Sequence, residues 1–349
     1  MLNNDSGDVL KRILIVRLSA MGDVLLTTPL IRCLKRQFPD CEIDFLVKET
    51  YGTLIQNNPS LHHIWMLPSE KGFLDFVHLC RQIRKKKYDG IIDLQVNLRS
   101  FAVRIFSQAK RKVRYKTWRG KRFLLVHFHW NIYKSCLPVP LRFLNAASLW
   151  KVEDDGWGLE LFVNEKAVTV VRSRLAERGM DSKDRIIVLA PGASKMTKRW
   201  PSENFTRLGN IFFKMNYRII LVGGHQDQDV CKDIQEAMET TPENFAAQLS
   251  IQETAALINE SVLLITNDTG VMHLGAALKK PVVAIFGPTT HHLGFIPFRT
   301  QSIVVEKSLS CRPCSYHGTD VCPKGHFHCM KDIPVEDVLK AAKNLLDER

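Results

Sequence analysis

Residues Arg12-Ile-Leu-Ile-Val-Arg17, followed by Ser19-Ala-Met-Gly-Asp23 and then by Leu26, Leu30, Leu34 and Phe38 at helical spacing, read as a buried strand, a turn of small residues and a helix. Strand-like runs recur at Glu42 to Val47, Ile64 to Leu67 and Gly90 to Leu94, with a helix-like segment from Phe73 to Lys86. Such alternation predicts a parallel sheet covered by helices on both faces. The pattern restarts at Arg185-Ile-Ile-Val-Leu-Ala190. Further strands are expected at Tyr217 to Val222, Val262 to Thr266 and Pro281 to Phe286, and helices near Asp227 to Glu239, Gln252 to Asn259, Val271 to Leu278 and Val335 to Leu346. The predicted class is α/β, with two doubly wound domains, 1–163 and 164–349, meeting near Val163.

A chain of 349 residues exceeds one typical core. Its 45% hydrophobic and 24% charged composition excludes disordered and collagen-like classes. No apolar run approaches the roughly 18 residues needed to span a bilayer. The start, MLNNDSGDVL, lacks the basic and apolar regions of a secretory signal, so a cytoplasmic protein is expected.

The net charge of +13 is concentrated in one place. Between Asp93 and Glu153 there is no acidic residue, while that stretch holds thirteen basic ones, Arg99, Lys134 and Arg142 among them. A positive surface of this kind suits a phosphate-bearing partner, either nucleic acid or an anionic lipid surface. Of the nine cysteines, Cys33, Cys41, Cys80, Cys136 and Cys231 are scattered and read as buried thiols of a reducing compartment.

Open α/β sheets bind ligands at the carboxyl ends of their strands, and four strand-end loops are unusual. Ser19-Ala-Met-Gly-Asp23 offers Gly22 for close backbone approach and Asp23 either as a functional carboxylate or as a helix cap. Pro191-Gly-Ala-Ser-Lys-Met-Thr-Lys-Arg-Trp200 carries Lys195, Lys198 and Arg199 with the hydroxyls of Ser194 and Thr197, a set able to neutralise a diphosphate, or else a solvated loop. It lacks the Walker spacing and the GxGxxG fingerprint. The third loop, Thr266-Asn-Asp-Thr-Gly-Val-Met-His273, presents Asp268, Thr269 and Gly270 at one point, with His273 either lining the site or structural. Phe286-Gly-Pro-Thr289 is the fourth.

Taken together these residues resemble glycosyltransferase family 9, the lipopolysaccharide heptosyltransferases. The resemblance is carried by RILIVRLSAMGDVLLTTP at Arg12 to Pro29, KKKYDGIIDLQ at Lys85 to Gln95, PGAS and KRWP between Pro191 and Pro201, and NDTGVMHLGAALKKPVVAIFGPT at Asn267 to Thr289. It implies a GT-B fold, two Rossmann-like domains facing across a cleft, and inverting transfer of heptose from ADP-heptose to the Kdo-containing inner core of lipopolysaccharide. By matching motifs it implies Asp23 as catalytic base, Ser194 and Lys198 as donor-phosphate contacts, and Asp268, Thr269, Gly270 and His273 as the donor loop. Asp227, after Gly223-Gly224, falls loosely where an acidic residue holds the nucleotide ribose.

These residue types suit the chemistry. In an inverting displacement a carboxylate accepts the proton of the attacking hydroxyl, and Lys198 with helix amides stabilises the leaving diphosphate, so no catalytic metal is expected. Arg114, Lys116, Arg119, Lys121 and Arg122, followed by Phe123-Leu-Leu-Val-His-Phe-His-Trp130, would form an acceptor platform at the inner membrane surface, or else a solvated basic helix beside a core strand. Cys311, Cys314, Cys322 and Cys329 supply the donor set of a structural zinc site, although one pair alone has the two-residue spacing; a redox-labile arrangement and unliganded thiols are the alternatives. Two competing readings are a transferase with another nucleotide-sugar donor and a basic nucleic-acid-binding protein with a zinc module.

Overall fold

The computed structural model of the chain describes residues 10–68, 72–133 and 136–348. Lys134 and most of the amino-terminal stretch read for a targeting signal lie outside the described residues. Two compact units are present. The first comprises the chain up to Thr117 together with Pro140–Trp157, and the second Trp118–Val139 together with Gly158 onward.

The first unit is a five-stranded parallel sheet of β1 (Arg12–Val16), β2 (Glu42–Lys48), β3 (His63–Leu67), β4 (Gly90–Asp93) and β5 (Arg111–Arg114), in the order β3-β2-β1-β4-β5. Its helices are α1 (Met21–Leu25), α2 (Thr28–Gln37), α3 (Glu49–Gly52), α4 (Phe73–Lys85) and α5 (Leu98–Phe106). Where the sequence predicts one helix from the turn to Phe38, the structure has two. The Thr27 and Thr28 hydroxyls donate to the carbonyls of Val24 and Leu25 at 2.6 and 2.8 Å, and Pro29, which has no N–H, stands in the first turn of α2.

The following elements are α6 (Arg119–Phe128), α7 (Val139–Ala146) and α8 (Glu165–Ala176). The basic stretch is divided between two elements. Arg111–Arg114 is the sheet-edge strand β5, not a core strand, and Arg119, Lys121 and Arg122 stand in the first turn of α6, whose later residues Leu125 and Val126 are buried. A charged edge strand resists pairing with another chain.

The second unit is a six-stranded parallel sheet of β6 (Ile186–Ala190), β7 (Arg218–Leu221), β8 (Glu243–Asn244), β9 (Leu263–Asn267), β10 (Val282–Phe286) and β11 (Ser302–Glu306), in the order β11-β10-β9-β6-β7-β8. The central strands β6, β9 and β10 are buried along their whole length, which is why they read as unbroken apolar runs. The helices are α9 (Ser202–Lys214), α10 (Gln228–Ala237), α11 (Ile251–Glu260), α12 (Gly270–Ala277), α13 (His328–Lys331) and α14 (Val335–Asp347). Helix α9 buries Phe205, Leu208 and Phe212 at three- and four-residue spacing, with the Phe205 ring 5.0 Å from that of Trp200. Each such side chain contributes about 1.5–3 kcal/mol on burial. Helix α11 starts on a reciprocal cap: the Glu253 carboxylate accepts from the Ser250 amide at 2.7 Å, and the Ser250 hydroxyl accepts from the Glu253 amide at 3.3 Å.

The division differs from a single boundary at Val163. Residues 118–139 join the second unit, where the Arg122 guanidinium lies 5.0 Å above the Tyr316 ring and the Val139 amide donates to the Gly294 carbonyl at 3.0 Å. Residues 140–157 return to the first unit, where Asp155 takes two hydrogen bonds from Arg32, at 2.7 and 3.0 Å. Burial opposes ionisation of Asp155, but the Arg32 guanidinium and the Trp157 amide win and hold its pKa down to about 2. All nine cysteines are free thiols. Cys136 is exposed, contrary to the reading of it as buried, because it lies in the irregular stretch between α6 and α7. Among the described residues no helix is long and apolar enough to cross a membrane.

Candidate active site

In each sheet the strand order reverses direction at one place, between β1 and β4 in the first unit and between β6 and β9 in the second. Loops leaving such neighbouring strands diverge and open a crevice at their carboxyl ends. Asp23 lies at the first of these places, and Ser194, Lys198, Asp268, Thr269, Gly270 and His273 lie at the second.

At the first, the loop after β1 is held to the loop after β4. The Gln95 side-chain carbonyl accepts from the Leu18 and Ser19 amides at 3.0 and 3.2 Å. Arg17 donates to the carbonyls of Ser19 at 2.8 Å and Leu94 at 2.6 Å, and its remaining nitrogen lies 2.6 Å from the Asp23 carboxylate. Asp23 stands in the first turn of α1, 3.4 Å from the Ala20 amide, so capping is the weaker of its two contacts. Its side chain is 22% exposed. A carboxylate oriented by a guanidinium and open on one side is suited to accept a proton from a bound hydroxyl.

At the second, Asn267 at the end of β9 pins the loop after β6. Its Nδ2 donates to the Pro191 carbonyl at 2.7 Å and its Oδ1 accepts from the Trp200 amide at 3.1 Å. Next to it the Asp268 carboxylate accepts from the Thr289 hydroxyl at 2.7 Å and pairs with the Lys198 ammonium at 2.8 Å. Three of the four strand-end loops thus meet at one carboxylate. Thr269 caps α12, its hydroxyl accepting from the Val271 amide at 3.3 Å, Gly270 opens that helix, and His273 is buried one turn on. The helix start offers amides and a positive dipole end to an anion beside the Lys198 ammonium. Ser194 is exposed on the same loop.

Asp227, at the end of the loop after β7, lies against bare backbone. A Cβ on Gly192 would sit 2.1 Å from the Asp227 Cγ, and one on Gly223 would sit 2.6 Å from its Cβ. The carboxylate accepts from the Gly224 amide at 3.0 Å and lies 3.3 Å from Arg199, which also donates to the Ala193 carbonyl at 2.9 Å. This links the third donor candidate to the loop carrying Lys198.

The cysteine-bearing segment packs beneath that loop. Thr197 and Thr319 exchange hydrogen bonds: the Thr197 hydroxyl donates to the Thr319 carbonyl at 2.7 Å, and the Thr319 amide donates to the Thr197 hydroxyl oxygen at 2.8 Å. Lys195 pairs with Asp320 at 2.8 Å. Cys311 Sγ lies 3.8 Å from His326 Nε2. Burial raises the Cys314 thiol, and burial followed by the neighbouring thiols raises Cys329 to about 11. Among the described residues, the group of three side chains that brings one metal-ligating atom each within 4.8 Å of one another is Cys136, His291 and His292. The basic candidates are divided: Arg114 and Lys116 are exposed on the first unit, while in the second Lys121 lies 5.2 Å over the Trp118 ring and Arg122 over Tyr316, with Arg119 exposed.

The sequence profile of glycosyltransferase family 9 (heptosyltransferase) matches residues 76–323. The chain belongs to this family. This family 9 glycosyltransferase is 27% identical over 343 residues to lipopolysaccharide heptosyltransferase 3 of Escherichia coli strain K12, covering 94% of this chain and 96% of the relative. Its fold is shared with two solved structures. The family 9 glycosyl transferase of Veillonella parvula superposes with a TM-score of 0.80 at 24% identity, over 97% of this chain and 98% of the other. The Escherichia coli ADP-heptose lps heptosyltransferase II gives 0.74 at 23% identity, over 97% and 99%. The architecture of the glycosyltransferase is accordingly GT-B, built from two parallel-sheet α/β units.

Four residues of the enzyme's crevices escaped the sequence reading. Arg17 and Gln95 lie within the family-like motifs without a spacing that marks them, and Asn267 stands beside the charged Asp268. Arg312, its side chain 5% exposed, donates to the carbonyls of Gly287 and Lys307, to the Thr289 carbonyl at 2.7 Å, and to Glu306 at 2.6 Å, so it fixes the fourth loop from within the cysteine segment. The Arg312-Pro313 pair beside Cys311 and Cys314 was the available signal.

Proposed function

We propose that this glycosyltransferase moves a heptose from ADP-heptose to the inner core of a lipopolysaccharide acceptor, with inversion at the anomeric carbon. The observation that carries the reading is the group formed by Lys198 with the buried Asp268 and Thr289 at the mouth of α12, within a heptosyltransferase family sequence. Lys198 neutralises the donor diphosphate, which gains charge as the glycosidic bond breaks, and the Gly270 amide at the start of α12 shares that charge. Ser194 adds a hydroxyl, His273 backs the donor loop and Asp227 takes the ribose hydroxyls. Asp23, oriented by Arg17, accepts the acceptor's proton as its oxygen attacks the anomeric carbon and the ADP oxygen departs with the bonding pair.

The acceptor is lipid A bearing Kdo, and Arg114, Lys116, Arg119, Lys121 and Arg122 meet its phosphates and carboxylates from the inner face of the cytoplasmic membrane. Catalysis runs without a metal, since Lys198 supplies the cation; Cys311, Cys314, Cys322 and Cys329 would hold a structural zinc ion only on drawing closer together, since among the described residues the three ligating atoms within 4.8 Å of one another belong to Cys136, His291 and His292. Family membership favours transfer chemistry over the nucleic-acid reading. The test is acceptor-dependent nucleotide release with ADP-heptose, UDP-sugars and GDP-sugars in turn. Release with ADP-heptose alone, and only with Kdo-bearing lipid A present, is the expected result. Release with another donor keeps the chemistry and overturns the sugar. Metal analysis of the purified protein and of Cys329→Ser checks the zinc assignment.

A further inference from the structure

We infer that the outer face shared by α4 and α5 is a docking surface for an anionic lipid bilayer. The two helices expose what helices of a globular unit normally bury. Leu98, Phe101 and Ile105, on one face of α5, are 88%, 51% and 50% exposed, and Phe73 and Leu74 at the start of α4 are 78% and 80% exposed. Residues of both helices, among them Phe73, Phe76 and Leu98, line one open groove of about 480 Å³, so the exposed starts of α4 and α5 share one surface, from which Phe101 and Ile105 continue along α5. The opposite side of α5 carries Ser100 and Val103, both buried, so the helix is firmly seated and its apolar outer row is a feature of the native unit. Contiguous apolar surface of this kind marks an interaction site.

Charge identifies the occupant. Arg99 lines the groove, and the chain leaves α5 directly into Lys110, Arg111, Lys112, Arg114 and Lys116, all exposed. Among the described residues Asp75 is the one carboxylate in the groove lining, Lys110 pairs with Asp89 at 3.2 Å, and between Asp93 and Glu153 the sequence contains no acidic residue. An apolar patch rimmed by cations matches an anionic bilayer, where apolar side chains enter the acyl boundary and the cations meet headgroup phosphates. A second copy of the chain would bring the same basic rim against itself across a two-fold axis. The inference rests on the proposed lipid-linked acceptor for its biological direction, while the surface is defined by exposure and charge alone.

The experiment is vesicle flotation of the full chain with phosphatidylethanolamine–phosphatidylglycerol vesicles and with phosphatidylcholine vesicles, beside transfer to a water-soluble Kdo acceptor. The wild type should float with the anionic vesicles, less so at high salt. Leu98→Glu with Phe101→Glu, and separately Phe73→Ser with Leu74→Ser, should weaken that binding by about tenfold or more. Their circular dichroism and kcat/KM on the soluble acceptor should be unchanged. Variants that float like wild type overturn the proposal, as does a wild type that ignores anionic vesicles or forms a dimer that Leu98→Glu dissolves. If no form transfers heptose, yet the variants lose flotation, the docking surface stands and the proposed activity falls.

Discussion

The Lys198 ammonium lies 2.8 Å from the Asp268 carboxylate, with the two side chains 13% and 9% exposed. A donor phosphate arriving beside Lys198 therefore meets a cation already oriented by an internal anion. Replacing the lysine removes the cation and also leaves Asp268 buried with only Thr289 as a polar side-chain partner among the contacts described above. Lys198→Ala is expected to lower kcat by about 100-fold or more and to weaken ADP binding, read by steady-state kinetics and calorimetry. Unchanged kcat would remove Lys198 from the transition state.

Asp23→Asn keeps the shape of the side chain and removes its basicity. A loss of about 10²–10⁴ in kcat is expected, with ADP affinity intact. Arg17→Met tests positioning in a different way. It spares the carboxylate but frees its orientation, so kcat should fall less than in Asp23→Asn and the pH–rate profile should move.

Gly192 has no room for a methyl group, since its Cβ would lie 2.2 Å from an Asp227 oxygen. Gly192→Ala should push Asp227 aside and raise the donor KM, while the enzyme still folds. Adding Asp227→Ala should then cost little more, because the two changes act through the same carboxylate. Additive losses in the double variant would argue against Asp227 as the ribose contact.

Acid stability should depend on Asp155. Its pKa, about 2 in the folded chain, lies below the ordinary carboxylate value of about 3.9. A depressed folded pKa gives stability that is fully present above the unfolded value and is lost as pH falls from about 4 to about 2. Urea midpoints of wild type and Asp155→Asn should therefore differ by a constant amount above about pH 5 and converge toward pH 2. A gap that persists at pH 2 would mean that shape, not charge, makes the contribution.

Much of this was legible in the chain. Continuous apolar runs identified β6, β9 and β10 because strands covered on both faces have no polar side to alternate with. Loops leaving those strands exposed Lys198 and Asp268 as candidates, and the structure joins them. Other features were hidden for physical reasons. Strand β5 is written in arginine and lysine because it is an edge, and its pattern gives no apolar signal. The passage of 118–139 into the second unit depends on single contacts such as Arg122 over Tyr316, which no local periodicity records. Roles such as those of Gln95 and Asn267 reside in hydrogen bonds between segments distant in sequence, so their types alone said nothing.

Gln95 and Asn267 hold the two crevices by the same chemistry. Each uses a carboxamide to tie the loop after one strand to the loop after its neighbour. A carboxamide neither gains nor loses a proton in the range where carboxylates, imidazoles and amines do. These two ties are therefore indifferent to acidity. A change of acidity reaches the loops through the carboxylates that also hold them, Asp93 on the Gln95 and Val96 amides and Asp268 between Lys198 and Thr289, and leaves the carboxamide ties in place.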